Sequence, residues 1–293
     1  MFHYLQQALH LGAPNEFIRS DLERHNGFDY LKLASRCTTQ NTFNRLHIEL
    51  ENICTPRELV GIAKLAETSE LPTPTFKWLR KIGRWAPNLF NAPQRYDRRL
   101  FSWPVMLYQD PEHDMREKGL LVAFSSNARR LMMPISVFLQ HVDSRRWDVV
   151  VLKKSAHSYL LGLEGVSTDL RGLTEYVETT LSSRQYRRVI TLGVSAGAFA
   201  AIWAAVLMGA DRGISVGGCP PRPLPCSMGD QRAPHGADLC FVYGSAQDHQ
   251  SALALLDFFG GRLRPVPEVD THGVLGQLLK RGQFGEFLNE MLA

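Results

Sequence analysis

Residues 187–210 read RRVITLGVSAGAFAAIWAAVLMGA: an apolar, β-branched run set directly against an alanine-rich one, with one serine, Ser195, at the joint. The first half reads as a strand buried on both faces and the second as a helix. Between them G-V-S-A-G places Gly193 two residues before Ser195 and Gly197 two residues after it. A nucleophile on a sharp strand-to-helix turn needs small residues at both positions, because a larger Cβ would strike the helix or the neighbouring strand. The turn also sets the serine at the start of a helix, whose amides favour developing negative charge. A Gly-rich bend where strand and helix pack closely is the plain alternative for so short a pattern. The flanking strand and helix favour the nucleophile.

Outward from this joint the same texture continues. Strand-like runs at 120–124 (LLVAF), 147–152, 188–193, 213–218, 238–244 and 263–269 alternate with helical segments near 133–142, 169–181, 196–207, 247–259 and 274–292. That alternation predicts an α/β fold, a mostly parallel, doubly wound sheet with functional groups at the carboxyl ends of its strands. Before about residue 95 the apolar spacing is helical. In TPRE, Thr55 caps, Pro56 takes the first helical position and Glu58 completes a capping box, so a helix is expected to run to about Thr68. The expected organisation is a helical N-terminal region with a basic connector, 1–95, followed by a catalytic domain, 96–293.

The 293 residues, 44% hydrophobic and 21% charged, suffice for one large core and an appendage. A net charge of +4 creates no chain-wide field that calls for nucleic acid. The five cysteines are odd in number and contain no C-x-x-C pair, which argues against a disulfide framework or a zinc site, so no metal and no cofactor is expected. The start lacks a basic segment followed by an apolar one, and no uncharged apolar run reaches the roughly 18–20 residues that span a bilayer. A cytoplasmic protein without stable membrane insertion is the expectation. Residues 75–100 hold seven basic side chains against one acid, with Trp78 and Trp85 interleaved. Packed tryptophans with solvated basic heads are the favoured reading, and docking of an anionic surface is the alternative.

A serine hydroxyl needs a base, and the base an acid to orient it. Asp248 lies just past the 238–244 strand and His272 just past the 263–269 strand, both where strand ends would carry them. Asp248 has an alternative role as a helix cap. Asp270 and Asp230 compete for the acid, and His249, His235 and His157 for the base. Two backbone amides are expected to face the oxyanion: that of Ala196, and one from Ser125 or Ser126 in the loop SSNARRLMMP after the 120–124 strand. Asn127 could donate through its side chain, and Arg129 and Arg130 could meet an anionic substrate or simply be solvated.

With GVSAG as nucleophile elbow, GSAQDH as acid loop and DTHG as histidine loop, the sequence from about residue 100 resembles the α/β-hydrolase superfamily. The resemblance implies an eight-stranded type of sheet, here trimmed, and acyl transfer through a covalent serine ester. An HGGG-type oxyanion motif is absent, and the insertion after 218 is too short and Pro-rich for a large helical lid. The expected activity is a serine hydrolase acting on an acyl ester or thioester of a small molecule or glycan. The alternatives are an acyltransferase on the same triad and a non-catalytic protein that binds a protein partner through its N-terminal region.

Overall fold

The computed structural model describes residues 29–102, 105–153, 162–163, 165–221 and 236–293, without the side chains of 100–102. Among the described residues, four helices come first: α1 (Tyr30–Ala34), α2 (Gln40–Glu51), α3 (Pro56–Thr68) and α4 (Thr73–Trp85). The start of α3 follows from local chemistry. Thr55 Oγ1 accepts from the Glu58 amide at 3.1 Å and Glu58 Oε2 from the Thr55 amide at 2.8 Å, so two otherwise orphaned donors are satisfied reciprocally. Helix α4 takes up much of the basic segment, with Trp78 buried, Lys77, Arg80 and Arg84 exposed, and Lys81 Nζ 4.7 Å from the Trp85 ring centroid.

Eight strands then form one sheet: β1 (Asp97–Ser102), β2 (Val105–Gln109), β3 (Gly119–Phe124), β4 (Trp147–Leu152), β5 (Arg188–Val194), β6 (Arg212–Val216), β7 (Asp238–Tyr243) and β8 (Arg262–Pro265). Their order across the sheet is β1-β2-β4-β3-β5-β6-β7-β8. The pairs β1–β2 and β2–β4 are antiparallel and the others parallel. The sheet is therefore not trimmed: β1 and β2 extend it beyond the expected six strands. Helices α5 (Ile135–Gln140), α6 (Leu170–Thr180), α7 (Ala198–Met208), α8 (Ala246–Phe259), α9 (Val274–Lys280) and α10 (Phe284–Leu292) cover it. The single terminal helix expected over 274–292 is broken at Gly282, whose φ of +71° leaves the helical region.

Strand periodicity divides the core. Leu121, Ala123, Val149, Val151, Ile190 and Leu192 face one side and join the apolar residues of the N-terminal helices, α5, α9 and α10. Leu120, Val122, Phe124, Val150 and Leu152 face the other and meet α6 and α7. The connection from β3 leads to β4 on one side, and the next strand, β5, lies on the other side of β3. The chain reverses its direction of winding there, which puts a topological switch point at the carboxyl ends of β3 and β5.

Candidate active site

Ser195 stands at that switch point. It follows β5 directly, with φ of +53°, in a short 3-10 turn, Ser195–Gly197, that leads into α7. A non-glycine residue in the left-handed region is strained, and such strain persists only where the surroundings hold it. Here they do. A Cβ on Gly193 would lie 2.4 Å from the Gly197 carbonyl oxygen and 2.6 Å from Ala201 Cβ. One on Gly197 would lie 2.5 Å from the Ser125 carbonyl oxygen. Both glycines are dictated by space, and α7 can press against the elbow because its near face is alanine.

His272 Nε2 lies 2.8 Å from Ser195 Oγ, and His272 Nδ1 lies 2.8 Å from Asp248 Oδ1. This geometry fits a ring that donates from Nδ1 to the carboxylate and accepts the serine hydroxyl at Nε2. The His272 side chain is 49% exposed, whereas that of Asp248 is 6% exposed, so the carboxylate is enclosed and the imidazole is reachable from solvent. Asp248 sits in the first turn of α8, but the cap is Ser245, whose Oγ accepts from the Asp248 amide at 3.2 Å. With the cap supplied by Ser245, the carboxylate turns to His272. Gly217, at φ +55°, lets the chain after β6 pass the histidine: a Cβ there would lie 3.0 Å from the His272 carbonyl oxygen.

Of the competitors, Asp270 is exposed beside His272 without bonding its ring, and His249 stacks on Tyr243 with ring centroids 4.5 Å apart. Asp230, His235 and His157 lie outside the described residues, as does most of the Pro-rich insertion.

The loop after β3 departs from expectation. The Ser125 amide donates to the Leu152 carbonyl at 3.1 Å, which continues the β3–β4 pairing one residue past Phe124. The Ser126 amide donates to the Arg130 carbonyl at 3.1 Å, closing a turn over 126–130. Neither Ser125 nor Ser126 is therefore the second oxyanion amide in this conformation, because each N–H is already spent on a carbonyl. Ala196 follows the serine as expected and is buried, and Asn127 is exposed on the turn. Arg130 Nη1 pairs with Glu51 Oε2 at 3.0 Å, a contact the sequence did not suggest. Arg129, half-buried with φ of +59°, is its neighbour on the turn. Glu51 had no signal in the sequence, since it ends an ordinary helix 79 residues from Arg130.

Among the described residues, no three His, Cys, Asp or Glu side chains gather in a way that could hold a metal ion. No helix among them is long and apolar enough to cross a membrane.

No protein-family model matches the sequence, and no curated protein matches it. Solved structures are similar at low identity. An esterase of the bacterial hormone-sensitive lipase family matches with a TM-score of 0.46 and 13% identity over 81% of this chain and 98% of its own. An α/β hydrolase from the metagenome of lagoon sediments at Mar Chica, Morocco, matches with a TM-score of 0.45 and 12% identity over 66% and 96%. A lidless α/β serine hydrolase from Xanthomonas campestris matches with a TM-score of 0.41 and 16% identity over 65% and 94%. The chain's sheet order, its antiparallel second strand and a serine held at positive φ on the turn after the fifth strand make this an α/β-hydrolase fold.

Proposed function

We propose that this protein is a serine hydrolase that cleaves an acyl ester or thioester through an acyl-enzyme intermediate. The observation that carries the reading is the continuous hydrogen-bonded chain from Ser195 Oγ through the His272 ring to Asp248, with the serine on a strained elbow. Residues 96–293 carry that chain, and the helices before residue 96 contribute to its surroundings.

In the proposed reaction Ser195 Oγ attacks the acyl carbonyl carbon while His272 Nε2 takes its proton. Asp248 holds the ring in the tautomer that leaves Nε2 free to accept, and stabilises the imidazolium that forms. The carbonyl oxygen becomes an oxyanion facing the Ala196 amide, with a second donor supplied by Asn127. Loss of one such donor costs roughly 10²–10³ in rate. The tetrahedral intermediate collapses by breaking the bond to the leaving alcohol or thiol, which takes the proton from Nε2. Water, deprotonated by the same nitrogen, then attacks the acyl-serine and regenerates Ser195. The acyl substrate is carried by a small molecule or a glycan, and an alcohol taking the place of water would make the protein an acyltransferase.

A fluorophosphonate probe tests the reading directly. Labelling confined to Ser195, and lost in Ser195→Ala and His272→Ala, is the expected result. A folded wild-type protein that takes up no probe and hydrolyses no member of a panel of acyl esters and thioesters overturns it in favour of a non-catalytic binding protein.

A further inference from the structure

Glu51, the last residue of α2, carries a carboxylate that is only 4% exposed. Trp78 Nε1 of α4 donates to its Oε1 at 3.2 Å, Arg130 Nη1 reaches its Oε2 at 3.0 Å, and Lys81 Nζ lies 3.9 Å away. A carboxylate enclosed to this degree is costly unless its oxygens are paired, so its position and that of the paired guanidinium determine one another. The cation it holds belongs to the loop beside the nucleophile.

That loop is tightly specified around Arg130. The Arg130 carbonyl accepts both the Ser126 amide at 3.1 Å and Ser126 Oγ at 3.0 Å, while Ser126 Oγ accepts from the Ala128 amide at 3.2 Å. On either side of Arg130 the backbone enters the left-handed region, with φ of +59° at Arg129 and +63° at Met132. Two non-glycine residues in that region within four positions make a conformation the segment would not keep alone. The loop also abuts the elbow, because the Phe124 and Ser125 carbonyl oxygens occupy the space a Cβ on Gly197 would need.

We propose that Glu51 is a positioning residue: through Arg130 it holds the 126–130 turn in its strained shape and so fixes the oxyanion side of the site against Ser195. The helices ahead of the sheet thereby complete the catalytic machinery without touching substrate. This inference rests on the serine-hydrolase reading above. Because oxyanion donors act on charge that develops only in the transition state, loosening the turn lowers kcat and leaves KM little changed.

The test compares wild type, Glu51→Gln, Arg130→Gln and the double variant in the full chain. Three quantities are measured: kcat and KM on p-nitrophenyl acetate, the second-order rate of fluorophosphonate labelling, and hydrogen exchange of the amides in 125–132. Glutamine at 51 retains an acceptor for Trp78, so the substitution removes the charge facing Arg130 with little change in volume. The expected result is a drop of roughly 10- to 100-fold in kcat and labelling rate for either single variant, the size of effect a small misplacement produces. KM stays near the wild-type value, the Ser126 amide exchanges faster, and the double variant is no slower than the worse single. Wild-type kcat and wild-type exchange in Glu51→Gln overturn the proposal while leaving the hydrolase reading intact. So do losses that multiply in the double variant, since two residues of one clamp cannot be lost twice. A wild-type protein that neither labels nor turns over substrate overturns the positioning role together with the hydrolase reading.

Discussion

Asp248 commits its carboxylate to His272: Oδ1 accepts from the ring at 2.8 Å, and Oδ2 is buried without a hydrogen-bond partner among the described residues. The acid therefore acts on one group, and its role in the proposed reaction is to select the proton position on that ring. Asp248→Asn, which can present an N–H to Nδ1 and favour the wrong tautomer, should lower kcat by roughly 10³–10⁴-fold with the fold intact. Asp270→Asn, at an exposed position next to the histidine, should leave kcat unchanged. Ester turnover with circular dichroism as a check on folding reads both.

Steric closure of the elbow is testable apart from activity. Gly197→Ala would drive a methyl group to 2.5 Å from the Ser125 carbonyl oxygen and 2.6 Å from that of Phe124, both backbone atoms that cannot rotate away. A loss of about 1–3 kcal/mol or more is expected from such overpacking, read as a lower thermal midpoint. Gly61→Ala, where a Cβ meets nothing within 4 Å and the site is in a helix interior, should be neutral or stabilising.

The N-terminal helices are joined to the sheet by a second enclosed ion pair. Arg98 of β1, with a side chain 1% exposed, places Nη2 2.7 Å from Glu58 Oε1 of α3. Glu58→Gln strips the charge from one partner and leaves the guanidinium enclosed, a change that costs about 3–5 kcal/mol. Urea denaturation should show the loss as a lower midpoint.

His47 links stability to acid pH. Its ring is sandwiched against Trp78 at 4.4 Å between centroids, and lies 3.0 Å from the Tyr30 hydroxyl through Nε2. Burial brings its pKa down to about 4. The unfolded chain, in which the ring titrates near 6.5, binds the proton more readily than the fold does. Stability from this group is thus complete above about 6.5 and falls as the pH drops toward 4, by about 3 kcal/mol in all. His141, lowered by its own burial, acts with the same sign. Chemical denaturation between pH 4 and 7 should show the slope, and His47→Gln should flatten it; an equal slope in the variant would exclude the assignment.

Much of the architecture was legible because its causes are local. Thr55, Pro56 and Glu58 begin α3 within four residues of one another, and the helix ends at Thr68 as its spacing implied. The runs that became β3 and β4 are buried on both faces and read as such. By contrast β1, DRRLFS, carries three charges in six residues, and β2, VMLYQ, is too short for periodicity to separate strand from helix. Their strand state comes from antiparallel pairing at the edge of the sheet, a partner the local sequence does not display.

The elbow itself could be seen in one dimension, since Gly193, Ser195 and Gly197 fall close together and a Cβ on Gly193 would strike the Gly197 carbonyl oxygen, whereas the clash that fixes Gly197, with Phe124 and Ser125, came only with the fold. Which acid would face which histidine, that the Ser125 amide would pair with Leu152, and that Glu51 would seize Arg130 were settled only when the sheet closed. Those contacts span 24 to 79 residues of chain. Short-range preferences limit the backbone of each segment, but the pairing of enclosed charges and hydrogen-bond donors depends on what the finished packing brings near and shields from water.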